Sequence, residues 1–230
     1  MACKLCAWLC GRLCTEFHDT LWGRVRRWER NESNDYELWM EAPAEDRARA
    51  DAAIALSPSE PEAAFRIFLD LADGGMPWAM ETVADRYARD DAGGADFERA
   101  RDYYCRAIES GSWFATIGYA RLLADHGHFA ECEALLRDGV EQDFIPAFYW
   151  LARVRLRQSY NGKTRRTVRL LLERAAEVGH PGAVRDLARM KARGQLGFRE
   201  IPAGFYEARR LVRSFTEAEE EMSGQVQAGG

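Results

Sequence analysis

A chain of 230 residues, 47% hydrophobic and 30% charged, has enough apolar material to fold in water as one or two domains. It has no run of about 18 apolar residues, which excludes a spanning helix, and Gly11 and Arg12 interrupt the short apolar stretch after Lys4, which argues against a secretory signal. The net charge of -5 hides a segregation: residues 1–30 carry +3, 31–146 carry -15, 147–216 carry +11 and the tail from Glu217 carries -4, so total charge says little about partners.

Residues 2–30 read as one amphipathic helix. Cys3, Cys6, Cys10, Cys14, Phe17, Leu21, Val25 and Trp28 recur at three- and four-residue steps and share a stripe. Asn31 to Asp35 ends that helix with side chains that compete for backbone hydrogen bonds. Residues 31–60 then form a linker with one short helix over Ala44 to Leu56. Ser57-Pro58-Ser59-Glu60-Pro61 breaks the chain and opens the next helix, with proline suited to a first turn.

From residue 61 to 216 the spacing predicts paired helices: 61–73, then 77–90 with 97–110, 112–125 with 129–141, 146–158 with 164–178, and 181–193 with 203–216. Two phrases carry this reading. The first is alanine, three variable residues, a larger apolar residue and alanine again, at Ala79 to Ala84, Ala115 to Ala120, Ala147 to Ala152 and Ala183 to Ala188. In the second, Ala64, Ala100, Cys132, Val168 and Ala208 each precede two bulky apolar residues at the third and fourth places after them. Repetition at about 32 to 36 residues marks stacked helical hairpins. The small residues let helices approach closely while the bulky ones of the partner fill the space. Gly75, Gly111 and Gly179 recur where a helix must stop in a left-handed conformation, and Asp143 takes that place in the shortened copy. Residues 217–230 read as a disordered acidic tail.

These motifs, from Phe97-Glu98-Arg99-Ala100-Arg101-Asp102-Tyr103-Tyr104 to Leu170-Leu171-Leu172-Glu173-Arg174-Ala175-Ala176-Glu177-Val178-Gly179, resemble the Sel-one-like repeat family, a relative of tetratricopeptide repeats. The resemblance covers roughly residues 61–216. It implies an all-α, right-handed α-solenoid of about four helix hairpins that acts as a non-enzymatic adaptor for other proteins, often in bacteria, with the first helices lining a concave face. The N-terminal amphipathic helix precedes that array.

Arg121, Arg153, Arg157, Arg189 and Arg193 fall on one column of the first helices. This basic strip suits an acidic segment of a protein or peptide partner, with Tyr149 and Trp150 as aromatic anchors. The same arginines also suit a plain solvated helix face. A nucleic-acid reading would use these residues with Lys163, Arg165, Arg166 and Arg169, but no reading motif accompanies them. The stripe of Cys3, Cys6, Cys10, Cys14, Phe17 and Leu21 has three readings. It is a helix that docks on the array or on a second copy, a surface for peripheral membrane contact, or a thiol site for soft metal or redox chemistry. His126 and His128 beside Cys132 would lack a fourth metal ligand. With no nucleophile elbow, phosphate loop or dinucleotide fingerprint, the expectation is a cytoplasmic protein with no catalytic residue, metal or cofactor. Opposite charges at the two ends leave self-association open.

Overall fold

The computed structural model describes residues 18–89, 96–159 and 161–211, with side chains from residue 23 onward. Cys3, Cys6, Cys10, Cys14 and Phe17, the start of the first helix and the acidic tail lie outside the described residues, as does the Leu21 side chain. Every regular element among the described residues is helical: α1 His18–Asn31, α2 Asp35–Glu41, α3 Ala44–Leu56, α4 Pro61–Asp73, α5 Pro77–Tyr87, α6 Phe97–Glu109, α7 Trp113–Asp125, α8 Phe129–Glu141, α9 Ile145–Gln158, α10 Gly162–Glu177 and α11 Pro181–Ala192, followed by a 3-10 turn at Phe198–Glu200. Residues 201–211 are again helical. Each expected helix from residue 44 to 193 is present, with ends within a turn of those read from the sequence, and the last, expected over 203–216, is helical as far as the described residues run. Helix α2 was not foreseen, because Asn31 to Asp35 reads only as a stop. Tertiary contacts hold α2 in place, including an edge-on meeting of Trp39 with Trp78 at 5.2 Å between ring centroids.

Local chemistry fixes the helix ends. Proline stands in the first turn of α4, α5, α9 and α11. The Asp96, Ser112, Asn161 and His180 side chains accept the amide three residues on, which caps α6, α7, α10 and α11. The second helices close alike: the amides of Met76, Ser112, Phe144 and His180 each bond to the carbonyl five residues back. That closure needs a left-handed residue, supplied by Gly75, Gly111 and Gly179 with φ of 99°, 91° and 93°, and by Asp143 with φ 56°. Asp143 is the one non-glycine with positive φ among the described residues, and its carboxyl accepts two bonds from Arg174 at 3.0 and 2.8 Å.

The two phrases occupy equivalent surroundings. Ala79, Ala115, Ala147 and Ala183 are buried, as are Ala84, Ala120, Ala152 and Ala188. So are the fourth-place residues Phe68, Tyr104, Leu136 and Leu172. Close approach is literal where glycine joins the pattern. A β-carbon on Gly139 would lie 2.8 Å from that of Ala147, and one on Gly118 would lie 2.5 Å from the Tyr104 ring. Neighbouring hairpins therefore nest through two apolar clusters that meet at the half-buried Trp150 and Leu171, which suits a solenoid whose stability comes from adjacent interfaces.

Candidate protein-binding face

Helix α1 lies against the first helices of successive hairpins, which it meets through Val25, Arg26, Trp28, Glu29 and Arg30. Val25 is buried in a cluster with Ile145, Tyr149 and Ala152 of α9 and Leu187 of α11. Trp28 meets His180 edge-on at 4.8 Å, and Tyr149 tilts against the same imidazole at 4.3 Å. Glu29, only 3% exposed, uses Oε1 to accept from Trp150 Nε1 at 2.6 Å and to face His180 Nε2 at 3.3 Å. His180 Nδ1 already accepts the Ala183 amide, so the ring proton of the neutral imidazole sits on Nε2 and points at Glu29.

Arg26 and Arg30, one turn apart, reach α5. Arg26 pairs with Asp85, and Arg30 donates to Glu81 Oε1 at 3.0 Å. Both guanidinium groups lie over the Phe114 ring of α7, at 5.8 and 4.6 Å from its centroid. Beyond α1, Asn34 Nδ2 donates to the Gly111 carbonyl at 2.8 Å and its Oδ1 accepts from the Trp113 amide at 3.1 Å. Ser112 Oγ donates to Asp35 Oδ1 at 3.4 Å. The corner between α1 and α2 is thereby fastened to the start of α7.

This contact pattern suits a curved face. Val25 to Arg30 spans about 7.5 Å along a helix axis at the usual rise. Four helices packed side by side at about 8–10 Å spread over about 24–30 Å. The long side chains of Arg26, Trp28 and Arg30 cover part of that spread, and a face that bends around the stretch brings α5, α7, α9 and the cap of α11 within their reach.

The seat is electrostatically uneven. Burial works to raise the Asp85 carboxyl, but Arg26 and the Tyr104 hydroxyl overcome it and hold it below the usual aspartate range. Glu81 goes the other way. Burial, reinforced by Asp35 and Asp85, outweighs Arg30 and Arg26 and pushes it up to about 8. Burial likewise raises Asp35 against Arg30 and its hydrogen-bond donors. Glu81 Oε2 and Asp35 Oδ2 have no hydrogen-bond partner of ordinary geometry among the described residues, though Arg30 Nε lies 3.9 Å from Asp35 Oδ2. A proton kept on Glu81 can serve the Asp35 carboxyl, which works against the upward pull of burial on Asp35.

The residues expected to bind a partner fall as follows. Arg153 lies over the rings of Tyr149 and Trp150 at 5.7 and 5.0 Å, and Arg121 lies over Trp150 at 5.6 Å, so these four form one cluster. Tyr149 has 0% exposure and offers no surface to a partner; burial pushes its phenol up to about 12. The indole N–H of Trp150 is already given to Glu29. Arg157 pairs with Asp125 at 2.9 Å, Arg189 lies 3.8 Å from Asp186, and Arg193 is exposed just past α11.

Sequence reasoning missed Glu29, Glu81, Phe114 and His180. One signal existed. Two places after the leading alanine stand Glu81, Ile117, Tyr149 and Arg185, of which the first three are buried. A carboxyl at a place that Ile117 and Tyr149 bury in the next two copies marks a group that needs a partner or a proton.

Among the described residues no three His, Cys, Asp or Glu side chains group as metal ligands. Cys132 is buried, its Sγ donates to the Ala120 carbonyl at 3.1 Å, and burial pushes its thiol up to about 12, so it behaves as a small core residue. His126 and His128 both rest against Phe97, at 4.7 and 5.1 Å. No helix of the described residues is long and apolar enough to cross a membrane.

Tandem helical hairpins with a face that holds a helix define an α-helical repeat scaffold. The kind of repeat follows from solved structures. A protective antigen of uropathogenic Escherichia coli with an SLR fold superposes with a TM-score of 0.55 at 17% identity, over 74% of this chain and 38% of that one. A Sel-one repeat protein from Oxalobacter formigenes gives a TM-score of 0.43 at 15% identity, over 75% of this chain and 88% of that one. The chain thus has the Sel-one-like repeat fold and spans 38% of the length of the first of these proteins. No family model matches the sequence, and no curated protein matches it.

Proposed function

We propose that this protein is a non-enzymatic adaptor that holds a segment of a partner protein on the concave face made by its first helices. The observation that carries this reading is the seating of α1: Glu81, Asp85, Phe114 and Trp150 of the first helices, with the α11 cap His180, grip one helix by charge, aromatic face, indole N–H and imidazole. Solenoids of this fold lend themselves to such use because stacked repeats build extended concave surfaces. The arginine cluster of Arg121 and Arg153, with Arg157, Arg189 and Arg193 beyond it, supplies the basic side for an acidic stretch of the partner. The setting that fits is cytoplasmic, and nucleic acid has no role in it.

The test is affinity capture from the native host with the full chain, followed by mass spectrometry. Arg153→Glu combined with Arg189→Glu is expected to lower retention of a specific partner at least about tenfold, as loss of charge complementarity does. Arg137→Glu on α8 serves as the control. Equal retention of every partner by all three chains overturns the basic strip.

A further inference from the structure

We infer that the groove holding α1 also binds, in trans, a helix of another protein that carries the same side-chain pattern. That pattern is an aliphatic residue followed at +1, +3, +4 and +5 by arginine, an aromatic residue, glutamate and arginine. The inference rests on the adaptor reading and names the kind of partner it would take.

The groove reads each position separately. The aliphatic place sits among Ile145, Tyr149, Ala152 and Leu187, where Val25 is buried. The first arginine has Asp85, and the second has Glu81, with Phe114 as a common platform for the two guanidinium groups. The aromatic place meets the His180 ring. The glutamate has two N–H groups waiting, from Trp150 and His180. Three of these five positions are charged and met by polar groups of the groove, so the groove selects a sequence rather than any apolar helix face.

The groove's own preorganisation argues that it is a receptor rather than ordinary core. His180 is fixed by the Ala183 amide and Tyr149, and Asp85 by Tyr104, all independently of α1. Among the described side chains of α1, Val25 is buried and Trp28 packs against the same cluster. Polar contacts through Arg26, Glu29 and Arg30 accompany this apolar contact, so a helix presenting the same groups can replace α1. Three residues, Glu32 to Asn34, separate α1 from α2, so the tethered copy competes at a high effective concentration. A foreign helix gains access when α1 is weakened.

The probe is a fluorescent, end-capped peptide of residues 18–33 titrated into the full chain. Arg26→Glu with Arg30→Glu in the chain sets α1 against Glu81 and Asp85, and it is expected to tighten peptide binding at least about tenfold over wild type. The same two changes placed in the peptide are expected to abolish binding. If the double variant loses its helical circular dichroism, Trp28→Ala in the chain is read in the same way, with tighter peptide binding again expected. A helical variant that binds the peptide no better than a scrambled sequence overturns the inference. A wild-type chain that sediments as a dimer, and that the peptide makes monomeric, assigns the groove to a second copy and also overturns it. Host partners retained beside a failed peptide titration leave the adaptor reading standing and remove only this one.

Discussion

Tyr149→Ala is expected to lower stability by about 3–5 kcal/mol, the range for removing a large buried ring from a core that cannot collapse onto the gap. Tyr149 has 0% exposure and is wedged between the His180 imidazole, the Trp150 indole and the backbone of Gly182. A β-carbon on Gly182 would lie 2.6 Å from Tyr149 Cζ, so the ring occupies space that only glycine leaves open. This contact gives the expectation its internal check. Gly182→Leu alone overpacks the same spot and is expected to cost about 1–3 kcal/mol. Combined with Tyr149→Ala, the leucine fills part of the void, so the double variant should lose less than the two single losses together, by about 0.5–3 kcal/mol. Urea or thermal unfolding of the four chains measures this. A Tyr149→Ala chain as stable as wild type would mean that the ring is a surface group after all.

Glu81→Gln is expected to flatten the pH dependence of stability. The native chain keeps a proton on Glu81 up to about 8, whereas the unfolded chain releases it at the ordinary value of 4.5. Between those values the native state binds more protons, so stability is full below 4.5, falls as the pH rises towards 8, and stays at the lower level above it. The loss is on the order of a few kcal/mol for an upward shift of this size. The groups facing Glu81 are Arg30, Arg26, Asp35 and Asp85. Glutamine keeps an oxygen for Arg30 and brings an N–H for the Asp35 carboxyl without ever ionising, so the variant should match wild type near pH 5 and exceed it at pH 8. Melting temperatures measured across that range decide the matter. Parallel curves for the two chains would show that Glu81 is ionised throughout.

Much of the fold was legible because periodicity is a local signal. The alanines at 79, 115, 147 and 183 and the bulky residues four places after Ala64, Ala100, Cys132 and Val168 repeat at fixed offsets, and the structure buries them in matching places. Gly75, Gly111 and Gly179 announced the helix ends, and Asp143 adopts the left-handed backbone that its place in the repeat demands. Val25 and Trp28 were also readable as parts of one stripe.

The seat of α1 was far less legible, for a physical reason. Glu29 meets His180 across 151 residues of sequence and Trp150 across 121. A pairing of that kind leaves no periodic trace at either end. Tyr149 and Trp150 read from the sequence as aromatic anchors for a partner, and sequence alone did not reveal that one ring is core and the other is bound to α1. Asp85 stands six places after Ala79, where the later copies have Arg121, Arg153 and Arg189, and it receives its cation from outside the repeats, so its role could not be read within the repeats alone.

The central claim is that α1 is held in the curve of the first helices, and backbone hydrogen exchange of residues 25–31 tests it most directly. Isolated helices of about 12–15 residues are marginal in water, so a peptide of residues 18–33 gives the rate expected without docking. These amides are predicted to exchange at least about 100-fold more slowly than in the isolated peptide, and to lose that protection when Arg26 and Arg30 are reversed to glutamate. Exchange in the intact chain at the rate of the free peptide would contradict the account.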